Sequence, residues 1–121
     1  MEIEKKFYQH FLDHDVDIYI LKDGDLEVEI LSFGAIIRSI KYKGTLLTLS
    51  VPLEVYVKHP IYCGGLIGRC ANRIDKGKFI LNNQEYQLSI NQKDYHIHGG
   101  FNGFDKRFYE MEIKDNSLIG R

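Results

Sequence analysis

Turn-forming residues divide this sequence into short segments, and that division constrains the fold more than any other feature. Residues 26–30 alternate apolar and charged side chains, which is the period of a half-buried β-strand. Glycine and aspartate turn signals separate this segment from further predicted strands at residues 17–21, 35–40 and 45–49. Strands this short, joined by tight turns, predict an all-β protein.

Two segments depart from the strand pattern. Pro52 suits the first turn of a helix, so the sequence predicts one or two helical turns over residues 52–59, which Pro60 would end. Residues 91–106 are rich in glycine and asparagine and predict a long loop. A loop of that length in a compact domain is more often functional than idle.

Two predicted hairpins complete the chain. Residues 78–81 should pair with residues 85–88 across an Asn-Asn-Gln turn, because asparagine tolerates the left-handed conformation that tight turns need. Residues 107–114 predict a strand whose partner, residues 117–121, has barely begun. We therefore expect the chain to be the N-terminal piece of a longer domain, with unpaired strand edges and one uncovered face.

Composition excludes several classes of function. The 121 residues are 44% hydrophobic and 27% charged, as in a globular protein of one modest domain. Sixteen basic and seventeen acidic side chains give a net charge of −1, so nucleic-acid binding is not expected. The sequence shows neither a membrane span nor the apolar core of a signal peptide. Cys63 and Cys70 lack CxxC spacing and are predicted to be free, buried thiols, which suits a cytoplasmic protein.

The glycine-rich stretch from residue 64 to residue 107 carries the candidate functional side chains. Asn72, Arg73 and His98 each lie close to glycines, where the backbone can approach a ligand closely. Arginine, asparagine and histidine together offer the donors and acceptors that grip a neutral polyhydroxylated molecule such as a sugar. The stretch fits neither the dinucleotide-binding fingerprint nor the P-loop.

Two alternatives stay open at this stage. If residues 69–73 form a strand, Arg69 and Arg73 share a face, and they either bind a ligand or pair on the surface with acids such as Asp75. His96 and His98 form a His-x-His pair that could bind one metal ion if both lie on one strand.

Several of these motifs occur together in one known family. Residues 67–74 (Ile-Gly-Arg-Cys-Ala-Asn-Arg-Ile) and the hairpin over residues 77–88 resemble signature segments of the aldose 1-epimerases. Residues 98–106 (His-Gly-Gly-Phe-Asn-Gly-Phe-Asp-Lys) are similar to that family's next signature, and residues 33–37 and 56–62 resemble its earlier segments. The resemblance covers about residues 17 to 112.

The resemblance implies an antiparallel β-sandwich of the galactose mutarotase type, of which residues 1–121 would be only the N-terminal part. It implies a cofactor-free reaction that interconverts the α and β anomers of an aldohexose such as galactose or glucose. By position, Arg73, Asn72 and His98 would bind the sugar, and His98 would also take part in catalysis. The family's proton donor, a second histidine, and its base, a glutamate, lie further along than residue 121.

Three hypotheses about function follow. The chain is the front part of an aldose 1-epimerase with a small-molecule aldohexose as its substrate, or it is a carbohydrate-binding fragment that does not turn sugar over. The third hypothesis is a metal-binding, cupin-like barrel built on His96 and His98. None of them predicts a nucleic-acid or membrane partner, and the oligomeric state is left open.

Overall fold

The computed structural model describes residues 1–59 and 61–121. Within these residues lie eleven β-strands, one α-helix and two 3₁₀ turns, and the strands pair antiparallel. The predicted all-β, antiparallel character is thus confirmed. The elements are β1 (Glu2–Phe11), β2 (His14–Asp23), β3 (Leu26–Leu31), β4 (Ile37–Tyr42), β5 (Thr45–Leu46), α1 (Leu53–Lys58), β6 (Arg73–Asp75), β7 (Lys78–Leu81), β8 (Gln84–Gln87), β9 (Tyr95–Ile97), the 3₁₀ turns Gly100–Asn102 and Phe104–Lys106, β10 (Met111–Lys114) and β11 (Ser117–Gly120).

Strands β1 to β5 form one five-stranded sheet in sequence order. Strands β2, β3 and β4 confirm the predicted strands, although β4 begins two residues later than expected and β5 has only two residues. Strand β1 was not indicated by the sequence pattern. It pairs along its whole length with β2, apart from an irregularity between Phe7 and Gln9.

The hydrophobic core lies between one face of this sheet and α1. Helix α1 agrees with the predicted helical turns, and its buried residues Leu53 and Tyr56 face the core. Pro60, predicted to end the helix, lies outside the described residues. Among the described residues, no helix is long and apolar enough to span a membrane. The buried cluster consists of Phe11, Val16, Ile18, Leu31, Phe33, Ile36, Leu53 and Tyr56.

The core face of the sheet changes character along its length. Beyond the apolar cluster it carries an ion network centred on Glu29, which accepts hydrogen bonds from Arg38 at 2.7 Å and from the Ser39 hydroxyl at 2.6 Å. Lys41 pairs with Glu27 at 2.8 Å in the same network. The charged residues that alternate with apolar ones in β3, Glu27 and Glu29, therefore pair with side chains of the neighbouring strand β4.

The opposite face of the sheet is apolar and only partly covered. The register places Leu26 opposite Tyr42 and Val28 opposite Ile40, so that their side chains share this face. Leu26 is 42% exposed and Tyr42 is 49% exposed. Part of this apolar face is therefore open to solvent.

The later hairpins differ in detail from their predictions. Strands β7 and β8 turn through two residues, Asn82 and Asn83, whose φ angles are 52° and 61°. The predicted three-residue turn is therefore wrong, because two asparagines in the left-handed region already close the hairpin. Strands β10 and β11 pair from Met111–Gly120 to Lys114–Ser117, and β10 begins four residues later than the predicted strand.

Residues 91–106 are more ordered than the predicted loop. They contain β9, which pairs with β6, followed by the two 3₁₀ turns. The pairing with β6 is long-range and leaves no local signal in the sequence. Both cysteines are free, as predicted, but neither is fully buried: Cys63 is half-buried and Cys70 is exposed.

Candidate functional site

Asn72 and His98 hold each other through two hydrogen bonds. The backbone N–H of His98 donates to the carbonyl oxygen of Asn72 at 3.1 Å, and the backbone N–H of Asn72 donates to Nδ1 of His98 at 3.0 Å. Both residues have left-handed backbone conformations, with φ of 60° at Asn72 and 51° at His98. This conformation is uncommon for residues other than glycine, and here the two bonds hold both residues in it.

This arrangement assigns the hydrogen of the His98 ring. Because Nδ1 accepts a backbone N–H, the neutral ring must carry its hydrogen on Nε2. The Nε2–H group remains as the donor that His98 can offer to a ligand. The ring is half-buried, with one edge committed to the backbone and one available for chemistry.

Arg73 joins the pair through the side chain of Asn72. Its Nη1 donates to Asn72 Oδ1 at 2.9 Å, and its guanidinium carbon lies 5.1 Å from the centroid of the Tyr95 ring. Arg73 opens β6 and lies opposite Ile97 of β9, two residues from Tyr95. The structure therefore brings together all three predicted residues, Asn72, Arg73 and His98.

Residues 69–72 do not form the strand that the shared-face alternative requires, because β6 begins only at Arg73. Arg69 and Arg73 do not share a strand face, and the Arg69 guanidinium lies 5.6 Å from the Phe104 ring centroid instead. Arg73 bonds Asn72 rather than Asp75. The left-handed turn at Asn72 separates the two arginines.

Gly99 fixes the segment that follows His98. Its φ is 90°, and a side-chain Cβ built there would overlap the carbonyl oxygen of Gly68. That oxygen accepts the backbone N–H of Phe104 at 3.3 Å. Only glycine permits both the conformation and this close approach.

His96 has a separate environment from His98. It is buried on β9, and its Nδ1–H donates to the carbonyl oxygen of Ser89 at 2.8 Å. Strand β9 ends at Ile97, and the left-handed backbone of His98 removes that residue from the strand alternation on which the predicted metal pair depends. In the described part of the chain, no group of three or more His, Cys, Asp or Glu side chains could hold a metal ion.

A cavity of about 600 Å³ lies next to His96 rather than His98. Apolar side chains such as Leu66, Phe79 and Phe104 contribute to its lining, and Asn72, Arg73 and His98 do not. Arg69, Asn102 and Arg107 also line it, so the lining combines apolar and polar side chains.

Two aromatic residues of the site are not predicted as functional from the sequence, although Tyr62 lies in the family-like segment 56–62. Tyr95 lies under Arg73 because of the β6–β9 register, which cannot be read from local sequence. The Tyr62 ring meets the His98 ring nearly edge-on, with 4.6 Å between centroids. Burial, helped by the nearby Asp105 carboxylate, raises the pKa of Tyr62 above its ordinary value of about 10.0, so its hydroxyl stays protonated at neutral pH.

Comparison with known proteins identifies the family to which this chain belongs. The family model described as aldose 1-epimerase matches residues 17–119. The chain is 35% identical over 109 residues to the galactose mutarotase of Rattus norvegicus, covering 85% of this chain and 32% of that protein. It is 34% identical over 99 residues to the aldose 1-epimerase of Haemophilus influenzae, covering 78% and 29% respectively.

A solved structure supports the same assignment. The galactose 1-epimerase from Lactobacillus acidophilus NCFM matches with a TM-score of 0.79 and 28% identity, covering 92% of this chain and 34% of that one. The chain thus spans about a third of the length of the relatives it matches. The antiparallel fold expected from the sequence motifs is confirmed by this match. The chain belongs to the aldose 1-epimerase family.

Proposed function

We propose that this chain is the N-terminal, sugar-binding part of an aldose 1-epimerase. The enzyme would interconvert the α and β anomers of an aldohexose such as galactose or glucose. The observation that carries the proposal is the Asn72–His98 pair, which leaves the Nε2–H of His98 as a donor and is joined to the Arg73 guanidinium through Asn72 Oδ1. Sugar hydroxyls and ring oxygens accept hydrogen bonds from such donors.

Each of the three residues has a distinct task in this proposal. Arg73 binds sugar oxygens through the guanidinium N–H groups that Asn72 does not occupy. Asn72 orients Arg73 through Oδ1 and His98 through its backbone N–H. His98 donates to an oxygen of the sugar and so polarises or orients the ring.

The reaction itself needs two further proton carriers. A base removes the proton from the C1 hydroxyl, an acid protonates the ring oxygen, the ring opens, the C1–C2 bond rotates, and the ring closes on the other face. This chemistry is proton transfer and needs no cofactor. We assign the acid and the base to a later part of the domain, so that the isolated chain binds sugar without turning it over.

A chimera tests this assignment. The corresponding front third of the Lactobacillus acidophilus galactose 1-epimerase would be replaced by this chain, and the change in optical rotation of α-galactose would be followed. We expect the chimera to accelerate mutarotation and His98→Ala to slow it by roughly 100-fold or more, the loss typical when one preorganised hydrogen-bond donor is removed. A folded chimera whose rate is unchanged by His98→Ala would contradict the role of His98.

The second candidate is a carbohydrate-binding fragment with no catalytic role. It is favoured by the hydrogen bonds of the site, since in the described part of the chain no carboxylate bonds to Asn72, Arg73 or His98. Sugar binding by the chain together with an inactive chimera would support this candidate.

We also propose that residues 1–121 form the N-terminal part of one β-sandwich, with the apolar sheet face around Leu26 and Tyr42 covered by the rest of that domain. A cytoplasmic location is supported by the free thiols of Cys63 and Cys70, which are typical of a reducing compartment.

A further inference from the structure

A cluster of side chains outside the sugar-binding trio packs behind the His98 ring. Tyr62 meets that ring nearly edge-on, and Lys106 places its Nζ 5.0 Å from the centroid of the Tyr62 ring. The same Nζ donates to Oδ2 of Asp105 at 2.8 Å. These contacts run without a gap from Asp105 to His98.

Asp105 is the buried end of this cluster. The residue is only 3% exposed, and it lies so close to two glycines that a Cβ on Gly65 would be 3.0 Å from its Cβ and a Cβ on Gly103 would be 2.8 Å from its Oδ1. Among the described residues, Oδ1 has no hydrogen-bond partner. A buried carboxylate without a counter-charge is costly. In the described part of the chain Asp105 makes one ion pair, with Lys106, and loss of that pair would leave the buried carboxylate without a counter-charge. This cost holds the Lys106 side chain in place.

Lys106 in turn fixes the position of Tyr62. A cation over an aromatic face is attracted by the negative charge of the ring, and the attraction grows where water is partly excluded. The Lys106 side chain is 23% exposed, so the contact is partly desolvated. Tyr62 is therefore held between Lys106 and His98.

Two contacts restrain the His98 ring. The hydrogen bond to Nδ1 restrains one edge, and the Tyr62 ring limits rotation of the imidazole. If the imidazole turned over, Nδ1 would lose its backbone donor and Nε2 would no longer be the free edge. We propose that Tyr62, Lys106 and Asp105 are positioning residues that keep the Nε2–H of His98 presented to the sugar. That the ligand is a sugar rests on the proposed function, whereas the restraint on the His98 ring does not.

The tautomer of His98 is the direct readout. The full 121-residue chain would be labelled with ¹⁵N-histidine, and His98→Gln would identify which signals belong to His98. Nitrogen shifts distinguish a hydrogen on Nε2 from one on Nδ1 in dissolved and in sedimented protein alike. We expect the Nε2–H form alone in the unmodified chain.

Four variants separate positioning from general stability. Tyr62→Leu and Lys106→Met should each give a mixture of tautomers at His98 and weaken galactose binding by roughly tenfold, about the contribution of one hydrogen bond. Tyr62→Phe keeps the ring and should retain the single tautomer. Lys114→Met, which changes an exposed lysine on the last hairpin, is the matched control and should have no effect.

The outcomes distinguish this inference from the proposed function. A single Nε2–H form that persists in folded Tyr62→Leu and Lys106→Met would overturn the positioning role. If Lys106→Met does not fold, the comparison of Tyr62→Leu with Tyr62→Phe decides. Altered tautomers in a chain that never binds galactose would support the positioning role while contradicting the proposed function.

Discussion

Single residues with left-handed backbone decide the geometry of the site. Asn72 and His98 adopt that conformation although neither is glycine, and each supplies a hydrogen bond that holds the other. Gly99 then allows the chain to pass close to Gly68. The site is therefore built by backbone conformation as much as by the choice of side chains.

Gly99→Ala should destabilise the chain more than an ordinary left-handed glycine would. We expect a loss of about 3 kcal/mol in the free energy of unfolding, because the methyl group adds a clash with Gly68 to the cost of the left-handed conformation. Urea unfolding at low protein concentration measures this loss. Gly24→Ala is the control: it has φ of 56° and open space around its Cβ, and it should lose only about 1 kcal/mol. Equal losses in the two variants would contradict the packing argument.

At the scale of elements, the five-stranded sheet combines an apolar core with the ion network around Glu29. Burial raises the pKa of Glu29, but the hydrogen bonds from Ser39 and Arg38 and the charge of Lys41 outweigh it, so the net pKa lies below its ordinary value of about 4.5. A carboxyl group with a lowered pKa stabilises the fold above its unfolded pKa and loses that contribution as the pH falls.

Glu29→Gln should reduce the loss of stability at low pH. We expect it to cost about 2 kcal/mol at neutral pH, because Arg38 and Ser39 lose a charged partner. The unmodified chain should lose stability as the pH falls below about 4.5, and the variant should lose less over the same range. Urea unfolding across that range checks both statements. Glu112→Gln is the control, because it removes an exposed ion pair with Arg121, and it should change the free energy of unfolding by less than about 0.5 kcal/mol. Equal effects of the two substitutions would contradict the role given to Glu29.

The sequence predicted local features of these elements well and long-range features poorly. Alternation in residues 26–30 and the Pro52 signal each correspond to an element of the structure, because period and φ restriction are local properties. The pairing of β6 with β9 depends on residues about twenty positions apart and could not be seen. The motifs named Asn72, Arg73 and His98, but Tyr62 reaches His98 only through the fold.

For the whole molecule, the main feature is the apolar sheet face opposite the core. Leu26, Ile37 and Tyr42 are each at least 40% exposed on or beside this face. A contiguous apolar surface of this kind marks an interaction site or an aggregation risk. The relatives that this chain matches are about three times as long.

The isolated chain should therefore associate with itself. We expect sedimentation velocity to show oligomers whose size increases with protein concentration. The reason is that the exposed apolar faces and strand edges of different molecules associate. The double variant Leu26→Glu with Tyr42→Lys places opposite charges on cross-strand neighbours and should reduce association. Leu12→Glu, at the turn between β1 and β2, is the control for added charge elsewhere. A monomer at all protein concentrations would contradict the prediction that this exposed face drives association.

The central claim is that Asn72, Arg73 and His98 form a sugar-binding site, and saturation-transfer NMR on galactose tests it most directly. This measurement observes the sugar and tolerates an associating protein. We predict transfer from the unmodified chain to galactose protons, its loss in His98→Ala, and its retention in His14→Ala, where a histidine stacked on Phe108 is removed instead. The absence of transfer from the folded unmodified chain, or equal transfer from His98→Ala, would contradict the claim.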